Sequence, residues 1–237
     1  MSYTAFLTMC NDETRAEFVL ENFTRHNPDI PVIVYNGGNS ASYLQERYDI
    51  DYREGPNFWN VFLPGVGSFT YDWFDLIFDI GLSMSTDHLI FLETDVLTTR
   101  KLETEPQYDI SGPLVSCGEL ESLQAYRYWG EYVPWKEGKK TILWNHKFHT
   151  GIGATCYKKN FFQKCEGNLK WIKEAYKMIP FSCFQDVNIS LLGRYSNCTL
   201  GDWSEVSDTR GSVRINSNNA YFEPCDMTKA LIHNYKI

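Results

Sequence analysis

His88-Leu89-Ile90-Phe91-Leu92-Glu93-Thr94-Asp95-Val96-Leu97 decides the fold. The run from His88 to Leu92 shows no apolar–polar alternation, so it reads as a strand buried on both faces, as in the centre of a covered, mostly parallel sheet. Glu93 and Asp95 follow at i and i+2. On an extended chain that spacing turns both carboxylates the same way, and a tight bend brings them closer. Ligands of open α/β sheets bind just beyond the carboxyl ends of the strands. Two acids at such an end suit a hard divalent cation that is also held by phosphate oxygens. A strand that simply meets water also ends in acids, so the neighbouring sequence has to separate the two readings.

Upstream, Tyr3 to Met9 reads as a first buried strand. Asn11-Asp12-Glu13 caps a helix whose Ala16, Val19, Leu20 and Phe23 recur at helical spacing. Pro31 to Tyr35 is a second strand, Asn36 to Ser40 a glycine turn, Ala41 to Glu46 a short helix and Asp49 to Arg53 a third strand. This is β-α-β-α, the opening of a Rossmann-like sheet. The glycine turn lacks G-x-G-x-x-G, which argues against a dinucleotide site. Leu63 to Ser68 reads as a flexible loop before an amphipathic helix with Phe69, Trp73, Leu76, Ile77 and Ile80 on one face, closed by Gly81. Downstream, short strands are expected within Asp109–Cys117, Thr141–Trp144 and Gly153–Tyr157, around an aromatic segment from Tyr126 to Trp135. Helices follow over Asn168–Ile179 and Phe184–Leu192, the second stopped by Gly193. The expectation is one α/β domain over 1–237. Its nucleotide-binding half is 1–97, and 98–237 is an irregular, mixed-β acceptor half.

Composition narrows the function. With 237 residues, 43% of them hydrophobic and 16% aromatic, the chain can bury a full core. A formal charge of -8 argues against a nucleic-acid binder. Seven cysteines without a C-x-x-C pair fit a reduced compartment better than a disulfide framework. Met1-Ser2-Tyr3-Thr4 leads straight into a strand, and no apolar run approaches the roughly 20 residues that span a bilayer. A soluble, cytoplasmic protein is expected.

With Leu92-Glu93-Thr94-Asp95 at a buried strand end, a helix before it and mixed β structure after it, the chain resembles the GT-A glycosyltransferases. In that family a Rossmann-like, mostly parallel sheet flanked by helices presents a D-x-D-type motif to a metal and a nucleotide diphosphate sugar. Here the motif stands as E-x-D. The resemblance implies Mn²⁺ or Mg²⁺ held by Asp95, Glu93 and the late His233, with Thr94 on the donor side and a C-terminal segment that closes over the donor through Lys236. It implies a base site at Thr8, Met9 and Cys10, and Asp72 at the head of a helix against the donor. In Trp144 to Gly153, it implies sugar contacts from Trp144, His149 and Gly151. His146 and His149 form an H-x-x-H that lacks the helix and third partner a zinc site needs. Asp186, in Phe184-Gln185-Asp186-Val187, falls where the family presents an acceptor-side acid, and would be the base of an inverting transfer. The donor would be a UDP- or GDP-sugar and the acceptor a glycan or glycoprotein, as in bacterial or large-virus pathways. Two other classes fit parts of the pattern: a non-catalytic nucleotide-sugar or glycan binder, and a metal-dependent nucleotidyltransferase. The second usually carries a glycine-rich, basic signature after the first strand, where this chain has Cys10-Asn11-Asp12-Glu13.

Overall fold

The computed structural model describes residues 2–63, 66–69, 72–116, 120–135, 148–150, 153–178, 185–216 and 219–235. The chain opens with β1 (Tyr3–Met9), α1 (Glu13–His26), β2 (Val32–Asn36), α2 (Tyr43–Arg47) and β3 (Ile50–Glu54). A hairpin of β4 (Trp59–Leu63) and β5 (Val66–Phe69) leads to α3 (Asp72–Ser83) and β6 (His88–Leu92). Then come β7 (Leu97–Thr98), β8 (Ile110–Ser111), β9 (Leu114–Ser116), α4 (Leu120–Tyr132), β10 (Phe148–Thr150) and β11 (Thr155–Lys158). Helices α5 (Lys159–Cys165), α6 (Lys170–Met178) and α7 (Gln185–Tyr195) follow. The chain closes with β12 (Leu200–Gly201), β13 (Val206–Asp208), β14 (Ser212–Asn216), β15 (Asn219–Glu223) and β16 (Leu231–His233).

The central sheet has seven strands in the order β12-β8-β11-β6-β1-β2-β3. From β6 to β3 every pairing is parallel, as βα units require. The antiparallel β11 joins β6 to β8, and β8 pairs in parallel with β12. Both faces are covered, which explains the unbroken apolar runs. Phe6 and Phe91 pack with Trp73, Phe74 and Phe162 on one side. Ala5, Leu7, Ile90 and Leu92 pack on the other with Ala16, Val19, Leu20 and Phe23 of α1. Each such Leu or Phe contributes about 1.5–3 kcal/mol by leaving water. A three-stranded sheet, β13-β16-β7, sits beyond β6 and holds the late chain in place, with Leu231 and Ile232 fully buried. Among the described residues no helix is long and apolar enough to cross a membrane.

Several local expectations are corrected. Val66–Phe69 is a strand of a hairpin rather than a flexible loop. The aromatic segment, to which the sequence assigns no element, belongs from Tyr126 to Tyr132 to helix α4, with Ala125, Tyr126, Tyr128 and Trp129 buried. Asp109–Ser116 is not one strand but holds β8 and β9, which belong to different sheets, and Cys117 lies outside the described residues. Gly81 and Gly193 do not end their helices. A Cβ on Gly81 would strike the Phe162 ring, and one on Gly193 would lie 2.8 Å from Ile110 Cδ1. Both glycines therefore let elements pack closely, and α3 and α7 run on to Ser83 and Tyr195. Thr141–Trp144 and Ile179 lie outside the described residues.

Candidate metal and donor site

The parallel register of β1 and β6 sets Leu7 beside Leu92, so Thr8 and Met9, still paired with β2, and Cys10 after them run past the end of β6 next to Glu93. Gly37, just past β2, donates its N–H to Met9 O at 3.0 Å. Three strand ends thus face one cavity of about 340 Å³, lined by Thr8, Met9 and Cys10 on one side and by Glu93, Thr94 and Asp95 on the other. Tyr35 and Phe58 form a stacked wall, with ring centroids 5.3 Å apart and planes at 19°. Asp12 sits at the N-cap of α1 without capping it. Its carboxylate instead accepts from Thr94 Oγ1 at 3.0 Å and lies 3.7 Å from Arg15. The residue read as a helix cap is turned into the cavity.

At the end of β6 the chain bends, and Val96 N donates to Glu93 O at 3.2 Å. The bend and the late strand β16 bring Glu93, Asp95 and His233 together, their ligand atoms all within 4.8 Å of one another. His233 Nε2 lies 3.1 Å from Glu93 Oε2 and 3.8 Å from Asp95 Oδ1. Asp95 Oδ1 is buried without a hydrogen-bond partner. Two ligands on opposite sides of a small divalent ion stand about 4.2 Å apart, so this spacing and the oxygen–imidazole set fit Mn²⁺ or Mg²⁺. Burial and the neighbouring Glu93 push Asp95 up to about 6. Burial alone would lower His233, but its bond to Asp208 and the Glu93 and Asp95 carboxylates outweigh it and raise it to about 10. These opposed shifts describe carboxylates crowded around one imidazole. Gly153 keeps it open: a Cβ there would run into the His233 ring and lie 2.7 Å from Glu93 Oε2. Tyr235 N donates to Asp95 O at 2.8 Å, tying the C-terminal segment to the acid motif.

A second polar pair stands at the start of α7. His149 Nε2 lies 3.1 Å from Asp186 Oδ2, and Val187 N donates to Asp186 Oδ1 at 2.8 Å. Burial would raise Asp186, but the His149 contact outweighs it and holds the carboxyl below its ordinary range.

Of the residues expected from sequence, Glu93, Asp95 and His233 meet, and Thr8, Met9, Cys10 and Thr94 line the adjoining cavity. His149 contacts Asp186. Asp72 stands exposed at the head of α3, and the next residue, Trp73, lines the cavity instead. Trp144, Gly151 and Lys236 lie outside the described residues. No motif marks Arg15, Tyr35 or Phe58 as site residues, although Tyr35 lies near the end of β2 and so falls under the strand-end rule that singles out Thr8 to Cys10. Asp208 carries no motif either.

No protein-family model matches the sequence, and no curated protein matches it. Solved structures do. The galactosyltransferase LgtC, solved with donor and acceptor sugar analogues, superposes with a TM-score of 0.56 over 98% of this chain and 86% of its own, at 14% identity. Core-mannan synthase A (CmsA/Ktr4) of Aspergillus fumigatus, in its Mn/GDP form, gives 0.54 over 97% of this chain and 79% of its own, at 9% identity. This is the GT-A glycosyltransferase fold. In this fold Glu93 and Asp95 sit where β6 ends, and β16 brings His233 against them from the other side.

Proposed function

We propose that the chain is a metal-dependent glycosyltransferase that moves a sugar from a UDP- or GDP-sugar to a hydroxyl of a glycan or glycoprotein. The observation that carries this reading is the convergence of Glu93, Asp95 and the His233 Nε2 at the mouth of the strand-end cavity, with Asp95 Oδ1 buried and unpartnered. The two GT-A structures support it, one holding Mn and GDP, the other donor and acceptor sugar analogues. Asp95, Glu93 and His233 would hold Mn²⁺ or Mg²⁺. Bound there, the ion supplies Lewis-acid stabilisation of the departing diphosphate.

The chain's own groups do the rest. The Tyr35–Phe58 wall offers a flat apolar face to the nucleobase, beside Thr8, Met9 and Cys10. Arg15 at the cavity rim supplies positive charge near the phosphates, and Lys236 adds another in the tail. His149, with Trp144 and Gly151, belongs to the acceptor side. There Asp186, kept ionised by His149, receives the acceptor's proton in an inverting transfer. The pairing holds Asp186 in the form a base needs, at some cost in proton affinity. Both halves act as one domain over 1–237.

A screen of UDP- and GDP-sugars, following nucleoside diphosphate release with and without Mn²⁺, tests the proposal. Release should require the metal and vanish in Asp95→Asn. Metal-independent release would sink the metal reading, and metal-dependent binding without release would leave a non-catalytic binder.

A further inference from the structure

Asp208 ends β13 and is the register partner of His233 in the parallel pairing with β16. Its side chain is only 1% exposed, and a buried carboxylate is costly unless every oxygen is satisfied. Here Oδ1 accepts from Arg210 N at 2.8 Å and Arg210 Nε at 3.1 Å. Oδ2 accepts from Arg210 Nη2 at 3.1 Å, Asn234 Nδ2 at 2.7 Å and His233 Nδ1 at 2.9 Å. The backbone N–H, the guanidinium and the amide can only donate, so the carboxylate is an acceptor throughout. Asn234 Nδ2 also lies 3.1 Å from His233 Nδ1, but it already donates to Asp208 Oδ2. That oxygen is nearer to Nδ1, at 2.9 Å, and can only accept, so the proton between Asp208 and the ring is on Nδ1 and Nε2 is turned toward Glu93 and Asp95.

We propose that Asp208 is the positioning residue of the metal centre. Held from three sides by Arg210 and Asn234, it keeps a proton on His233 Nδ1 and fixes the plane of the ring, so that Nε2 is the nitrogen that gives up its proton to the ion. This rests on the reading of Glu93, Asp95 and His233 as metal ligands. Asp208 itself touches neither metal nor donor. A carboxylate behind a ligating imidazole also raises the basicity of the ligating nitrogen, and losing such a partner typically weakens metal binding about 10–100-fold. A mere tie between β13 and β16 would stabilise the fold and leave the metal alone.

Mn²⁺ binding to the whole chain without nucleotide, followed by electron paramagnetic resonance, separates the two roles. Asp208→Asn should weaken Mn²⁺ by about 10–100-fold. At saturating Mn²⁺ it should also reduce the nitrogen modulation of the spin echo, which reports an imidazole on the ion. Wild-type affinity with undiminished nitrogen modulation would overturn the proposal and leave Asp208 a strand tie. If Asp208→Asn does not fold, Arg210→Gln decides, since its side chain is 60% exposed. Loss of two charge-assisted bonds to the clamp should then weaken Mn²⁺ about 3- to 10-fold, and unchanged affinity overturns the proposal. Glu93→Gln is the separate control: if it binds Mn²⁺ as the wild type does, the metal-centre reading itself fails and this proposal falls with it.

Discussion

Gly153→Ala tests the metal pocket by filling it with a single methyl group. The perturbation is steric, one methyl group set against the His233 ring. The added Cβ would sit well inside van der Waals contact with His233 Cδ2 and Nε2, and 2.7 Å from Glu93 Oε2. Non-bonded carbons settle near 3.5–4.0 Å, so the ring has to retreat by roughly 1 Å or more. Overpacking of this kind costs about 1–3 kcal/mol. Carried by the His233 position alone, that is a loss of about 5- to 150-fold in Mn²⁺ affinity. Gly167→Ala is the matched control, because a Cβ there meets nothing within 4 Å. Mn²⁺ titration by electron paramagnetic resonance, with thermal melts of the metal-free proteins, measures both terms. If Gly153→Ala binds Mn²⁺ as tightly as Gly167→Ala, His233 is not a ligand and the reasoning is refuted.

Asp186→Asn should lower kcat by about 10²–10⁴ while leaving donor binding intact. Proton NMR of the product's anomeric coupling checks the stereochemistry, and a retained configuration would remove Asp186 from the role of base. Asp109 predicts a pH-dependent stability. Burial would raise it, but the Thr199 amide, Lys164 and the Thr199 hydroxyl outweigh that and hold it below the ordinary range. Its ionised form therefore stabilises the fold above the unfolded-state value of about 3.9, and the benefit is lost as pH falls through the lower folded value. Asp109→Asn should cost about 1–3 kcal/mol at neutral pH. In melts at pH 7 and pH 3 its gap from wild type should narrow at the lower pH, and a constant gap contradicts the assignment.

The half of the fold built from parallel strands was legible because burial on both faces leaves a visible trace. The runs Tyr3–Met9 and His88–Leu92 and the Ala16, Val19, Leu20, Phe23 stripe of α1 each match an observed element. The later half was less so. Tyr126, Tyr128 and Trp129 carry no strong helical signal in aromatic-rich surroundings, and Gly81 and Gly193 mimic helix stops while serving long-range contacts that only the folded chain reveals. Within the candidate site, Glu93 and Asp95 announce themselves through adjacency to a buried strand. Leu231 and Ile232 mark the anchor that brings in His233. Asp208, Arg210 and Gly153 are invisible to such reading, because their meaning comes from strand pairing across the chain and from one close approach to the His233 ring.

The most direct test is calorimetric titration of the protein with UDP and with GDP, each with and without Mn²⁺. The account predicts that one of the two nucleotides binds measurably only with the metal present, and that Asp95→Asn abolishes this binding while the protein stays folded. Equal affinity with and without Mn²⁺ would contradict it.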